Sequence, residues 1–312
     1  MLGSLWGEGW SVWRAAKKAR LDKLEEVLRS EVQPNMVVNR KHPMRGLTPL
    51  MAATSATNTT SVAGCVRVLI SYGADVNTVD NTKHKNTALH YAACNNKATA
   101  IGILLDAGAN AFARNVEGFT ALDLAWKDGR REAARVLMKH VQLQSGWLNI
   151  STKITIPRWK RCWCVILARD SEYSSAELCV FDRPDHLRPD LILQFGSSSM
   201  ILIPSRSPFE FHVDGVKMQH LGLRSSKVET TANQEVKCCH ELAFATDEWK
   251  SPNDRRLWLK ALRASCAFTT GGRRGSRIKR QLDQSSQRDI GKRINELRPS
   301  SPISVGRRSS QE

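Results

Sequence analysis

The sequence predicts a multidomain chain. An all-α solenoid of stacked helix pairs comes first, then a small antiparallel β-barrel or sandwich capped by a C-terminal helix, then a disordered basic tail. Three observations predict it. The strings GLTPLMAA at 46, NTALHYAA at 86 and GFTALDLA at 118 repeat one helix-opening pattern. From 146 onward short runs rich in Val, Ile, Leu, Phe and Trp alternate with polar stretches holding Pro, Gly or Asp. The last 44 residues are poor in apolar side chains and dense in positive charge.

The repeats align on Thr48, Thr87 and Thr120, at spacings of 39 and 33 residues. A fixed period in that range is the mark of stacked supersecondary units. The six-residue excess of the first step divides between TSATNTTS, inside a helix pair, and VDNTKHKN, in the following loop. Thr followed by Pro or Ala opens a short helix whose exposed N–H groups the hydroxyl can cap. Ala52, Ala53, Ala92, Ala93 and Ala125 let paired helices approach closely. Val68, Leu69, Ile103, Leu104, Leu105, Val136 and Leu137 recur at helical spacing and fill the seams between units. Gly73 and Gly108 suit the left-handed residue that ends the second helix.

TPLMAA and TALHYA resemble the T-P-L-H-x-A signature of the ankyrin repeat family. The resemblance covers residues 10–141 as about four repeats. SVWRAAKKARLDKLEEVL, with Ala15 and Ala16 but Trp13 in the place of the signature His, is a degenerate first unit. Residues 117–141 form the closing unit. The resemblance implies a protein-binding scaffold whose contacts lie on the concave face and the loop tips, here 40–45, 78–85 and 114–117. Lys41, His42, Arg45, Lys83, His84, Lys85 and Arg114 make that edge basic, which favours an acidic partner surface. His90 is read as structural; Met51 and Asp123 stand at its position in the flanking units.

In the second segment WLNIST, CWCVILA, AELCVFD, LILQF, SMILI, FEFHV and HELAFAT are seven expected strands. DEWKSPNDRRLWLKALRAS follows as a helix with Leu257, Trp258, Ala261 and Leu262 on its sheet-facing side. GWLNI at 146, RWKRCWCVIL at 158 and Trp258 in RRLWLKAL resemble the pleckstrin homology (PH) domain over residues 144–268. The tryptophans are read as core packing. The resemblance implies phosphoinositide or anionic membrane contact through cations around the first loop, of which Lys153, Arg158, Lys160 and Arg161 are candidates. Two family positions are changed: Ile150 stands where a strand-one Lys belongs, and Cys162 where an Arg precedes the tryptophan.

Residues 269–312 carry RRGSRIKR, a segment that suits a membrane tether, a nuclear signal or a nucleic-acid contact. Ser301, before proline, and Ser309 and Ser310, after paired arginines, resemble kinase sites. Phosphate there would subtract about 1.5–2 charges per site.

The whole chain has 47 Lys and Arg against 30 Asp and Glu, a net charge of +17. Residues 1–141 hold 19 basic and 12 acidic side chains, 142–268 hold 17 and 14, and 269–312 hold 11 and 4. The excess therefore sits in the repeats and the tail. The eight cysteines have neither C-x-x-C nor zinc-finger spacing, so no metal and no cofactor is expected. No apolar run spans a bilayer and the N-terminus is not a signal peptide, so a cytoplasmic chain is expected, with peripheral membrane or nuclear residence through its basic segments. No P-loop, nucleophile elbow or kinase set is present. The sequence thus predicts a non-catalytic adaptor that joins a protein partner to a membrane surface or second protein. A nuclear or nucleic-acid-associated regulator acting through the tail is the alternative.

Overall fold

The computed structural model describes residues 10–57, 61–151, 158–172, 175–195, 199–202, 209–214, 216–219, 238–239, 242–246 and 253–266. Nine helices among these precede the first strand: α1 (Ser11–Lys17), α2 (Leu21–Ser30), α3 (Pro34–Val38), α4 (Pro49–Thr54), α5 (Val62–Ser71), α6 (Ala88–Cys94), α7 (Ala98–Asp106), α8 (Ala121–Lys127) and α9 (Arg131–Val141). Four antiparallel pairs, α1/α2, α4/α5, α6/α7 and α8/α9, make four stacked units. Seven residues separate α4 from α5 against three between α6 and α7, and sixteen separate α5 from α6 against fourteen between α7 and α8. The excess of the 39-residue step therefore falls where the sequence placed it.

Alanines allow the close stacking: Ala16, Ala52, Ala53, Ala92, Ala93 and Ala125 are fully buried, beside Leu69, Leu104 and Leu137. Gly73 and Gly108 take φ of +84° and +86° at the helix ends, a conformation that a Cβ would strain. A second periodic device escaped sequence reading. Asn39 donates to the Gly73 carbonyl (2.8 Å) and accepts from the Asp75 N–H (2.7 Å). Asn77 repeats both bonds one unit later, with the Gly108 carbonyl (3.1 Å) and the Asn110 N–H (2.8 Å). Each asparagine thus satisfies the exposed backbone at the next unit's helix end.

His90 also ties two units. The Thr87 N–H donates to its Nδ1 (3.2 Å), so the ring proton sits on Nε2 and points at the Phe119 carbonyl (3.1 Å). Burial holds this imidazole below its ordinary pKa.

The remaining chain builds one curled antiparallel sheet, a half-barrel of nine described strands: β1 (Gln142–Ser151), β2 (Lys160–Ala168), β3 (Ala176–Phe181), β4 (Leu191–Phe195), β5 (Met200–Leu202), β6 (Glu210–Asp214), β7 (Val216–Gln219), β8 (Cys238–Cys239) and β9 (Leu242–Ala245). Their order is β5-β6-β9-β1-β2-β3-β4-β7-β8. All seven expected runs are strands; β7 and β8 are additional. Helix α10 (Asn253–Cys266) packs on β1, β2 and β4. It does so through Trp258, Leu259 and Leu262, while the expected Leu257 is 48% exposed. Trp258 seats against Gly146, where a Cβ would meet its ring at 3.4 Å. Trp159 departs from the core expectation as well, because it precedes β2 and lies 39% exposed.

Helix α9 ends at Val141 and β1 begins at Gln142, so no linker parts the repeats from the sheet. Leu148, Cys164, Ile166, Leu178, Val180 and Leu193 bury one face of the sheet with Trp258. Val165, Leu167, Cys179, Phe181 and Ile192, on the opposite face, join the core of the helical repeats. Every residue of β3 is buried. Buried Glu177 on β3 binds Arg169 Nε (3.0 Å) and accepts from Gln194 (3.1 Å), and Arg169 reaches Asp123 of α8 (3.5 Å). Burial raises the Glu177 pKa, against the opposing pull of Arg169. Among the described residues no helix is long and apolar enough to cross a membrane.

Two outcomes follow from these contacts. Unfolded imidazole takes up its proton as pH falls through about 6.5, whereas folded His90 resists until lower pH, so stability is full above that value and declines below it. Thermal melts of the full chain between pH 7.5 and 5.5 should show that loss, and His90→Asn should flatten it while costing about 1–3 kcal/mol. Arg169→Met leaves two carboxylates facing one another at the repeat–sheet junction. It should cost about 3 kcal/mol by chemical denaturation at pH 7.5, and less as the pH is lowered, because burial favours the neutral form of Glu177.

Candidate binding surfaces

The first surface is the edge formed by the loop tips, which stack by backbone hydrogen bonds. The Asn81 N–H donates to the Gly46 carbonyl (3.0 Å) and the Val116 N–H to the His84 carbonyl (2.9 Å). Gly46 has φ +67°, and a Cβ there would lie 2.9 Å from Asn81, so only glycine lets the first two tips approach. Along this edge Lys41 donates to Asn81 Oδ1 (2.9 Å), Arg114 to the Gly118 carbonyl (2.8 Å), and His84 Nδ1 lies 2.9 Å from Glu117. These three candidates hold loops in shape. Arg45, Lys83 and Lys85 are exposed. Exposed Met44 and Val116 stand among them.

Tyr91, Thr82 and the Asn86 N–H converge on buried Asp80 at the base of the middle tip. Burial opposes the charge, but these hydrogen bonds prevail and hold the Asp80 carboxyl below its ordinary pKa. The tip is therefore a rigid support for Lys83 and Lys85.

At the N-terminal end of the edge His42 packs its ring on Trp10 (4.8 Å) and Trp13 (4.5 Å). Arg40 lies over Trp10 (5.2 Å) and Arg45 over Trp13 (5.8 Å). The departure from the family signature at Trp13 thus has a local cause: its indole is the platform for the first tip. Trp10 and Arg40 belong to this cluster and were missed as site residues. The i, i+3 spacing of the two tryptophans was the available signal.

The second surface lies where β1 ends and β2 begins. Ile150 and Cys162 both point into the half-barrel core. Burial raises the Cys162 thiol pKa. Lys160 pairs with Asp182 (3.0 Å), a contact that raises the lysine's pKa and lowers the aspartate's. Arg161 lies over Trp147 (5.0 Å). As consecutive strand residues, Lys160 and Arg161 project to opposite faces. Arg158 is exposed, its N–H bonded to Ser151 Oγ (3.0 Å). The described cations are spread along the strand end rather than gathered around one point. Lys153, the tail 269–312 and its Ser301, Ser309 and Ser310 lie outside the described residues.

Among the described residues no group of three or more His, Cys, Asp or Glu gathers to hold a metal. Burial pushes the Cys65 and Cys94 thiols up to about 11.

The family model described as Ankyrin repeats (3 copies) matches residues 12–115 and 61–145. The chain is 30% identical over 160 residues to the Probable E3 ubiquitin-protein ligase XBOS34 of Oryza sativa subsp. japonica, covering 48% of this chain and 31% of that protein. It is 45% identical over 78 residues to the human Palmitoyltransferase ZDHHC17, covering 25% and 12%. It is 34% identical over 104 residues to the Putative E3 ubiquitin-protein ligase XBAT35 of Arabidopsis thaliana, covering 33% and 22%. This chain spans less than a third of the length of each of these relatives. With four stacked helix pairs, the Thr caps and the matching family model together, the helical segment ending at Val141 is made of ankyrin repeats.

Proposed function

We propose that the chain is a non-catalytic adaptor whose ankyrin repeats bind an acidic protein partner along the loop-tip edge. The observation that carries this reading is the exposed row of Arg45, Lys83 and Lys85 beside exposed Met44 and Val116. Apolar anchors within a charged rim are what a specific protein interface uses. The side chains best suited to catalysis are engaged otherwise: His90 and Asp80 hold the loops, and burial raises the Cys65, Cys94, Cys162, Cys164 and Cys179 thiols, which opposes thiolate formation. Relatives named as ubiquitin ligases and a palmitoyltransferase share a repeat-bearing stretch with this chain. We read that stretch as a recruiting element and carry over neither activity.

We further propose that the half-barrel is a PH-like domain, occupying 144–268 after a repeat domain at 10–141, and that it brings the partner to an anionic membrane or a second protein. The strand sequence β5-β6-β9-β1-β2-β3-β4, with a helix whose buried Trp258 seats against Gly146 of β1, supports the reading. The membrane contact is electrostatic rather than a head-group cradle, because Ile150 and Cys162 are core residues and Lys160 is paired with Asp182.

Affinity capture with the full chain should retain a partner that is lost from a Lys83→Glu, Lys85→Glu variant of unchanged melting temperature. Equal capture by both would refute the edge. In sedimentation with phosphatidylserine vesicles, Asp182→Ala frees Lys160 and should strengthen binding about fivefold, and Arg161→Glu, a change of two charges, should weaken it about thirtyfold, at roughly 1 kcal/mol per charge. Vesicle binding indifferent to both substitutions would refute this surface.

A further inference from the structure

The junction of α9 with the sheet forms a cleft of about 300 Å³, made by both parts together. Val165 and Phe181 make a buried apolar floor, extended by the partly buried Met138 and Trp163. Arg131, Arg135 and Lys139 line one wall. They stand at i, i+4 and i+8 of α9, one above another along about 12 Å of helix. All three are exposed.

The acidic groups nearby are weak competitors. Glu132 lies 3.6 Å from Arg135, and Asp185 on the facing loop lies 4.0 Å from Arg183. Among the described residues neither Arg131 nor Lys139 forms an ion pair. The cleft therefore offers a positive row above an apolar floor.

A single phosphate or head group needs cations that converge on one point, whereas a row spaced by helical turns suits a chain bearing several carboxylates. About 300 Å³ is at the small end of ligand pockets and takes one or two large side chains. The chain's own tail is a poor occupant, since residues 269–312 hold 11 basic and only 4 acidic side chains.

We propose that this cleft binds a short acidic peptide segment of a partner protein. A large apolar side chain of the peptide enters over Phe181 and Val165, and flanking carboxylates lie along Arg131, Arg135 and Lys139. The site requires the repeats and the sheet to be held together, so it exists only in the joined molecule.

The test is fluorescence anisotropy of the full chain with a fluorescein-labelled peptide in which Leu-Phe is flanked on each side by three glutamates. Saturable binding is expected. It should weaken at least about tenfold with the Arg131→Glu, Arg135→Glu double variant, with Ala-Ala in place of Leu-Phe, and on raising salt from about 50 to 300 mM. Both positions are exposed, so the double variant should melt as the parent does; if it does not, Lys139→Glu alone reads the same loss. Failure to saturate below about 1 mM, or binding indifferent to these substitutions, overturns the proposal. So does binding of oleate or phosphatidylserine vesicles through the same residues where the peptide does not bind.

Discussion

A stack of helical repeats buries the flank of each unit against the next, and so leaves one apolar flank open at each end. The usual remedy is a terminal repeat with a polar outer face. Here the C-terminal flank is closed by a β-sheet. Val165, Leu167, Cys179, Phe181 and Ile192 complete the core of the repeats from the sheet side. Arg169 then bridges Asp123 of α8 and Glu177 of β3. The absence of a linker at Val141 and Gln142, the full burial of β3, and the cleft beside α9 all depend on that closure.

The same closure accounts for the residue at the signature His position. In the third unit His90 bonds to the Phe119 carbonyl of the following tip. The last unit has no repeat after it. Asp123 keeps the capping role, accepting from the Thr120 N–H at 2.8 Å, and turns its other oxygen toward Arg169. A short acidic side chain thus replaces an imidazole where the neighbour changes from a loop carbonyl to a guanidinium. Trp13 at the opposite end follows similar logic, since it supports the first loop tip through His42.

Much of the candidate edge was legible because tip residues follow directly from the repeat register. Which of them hold loops and which face outward was not, since Lys41 and His84 find their partners on the next tip and Arg114 folds back on the backbone of its own. The strand-two cations show the limit clearly. Adjacent in sequence, Lys160 and Arg161 read as one cluster, yet strand geometry sends them apart and Asp182 pairs with the first. CWCVILA and AELCVF also carried an unused signal: runs this continuously apolar indicate a sheet buried on both faces.

From the sequence alone came the four units, the helix ends at Gly73 and Gly108, the insertions in the 39-residue step and seven strands of the half-barrel. These rest on local physics, namely backbone preferences and the periods of helix and strand, which a short window contains. The asparagine ladder, the two-sided core of β3, the Arg169 bridge and the cleft over Phe181 were decided only by tertiary structure. Each needs groups brought together from distant positions, and their meeting depends on how one apolar face finds another to cover it.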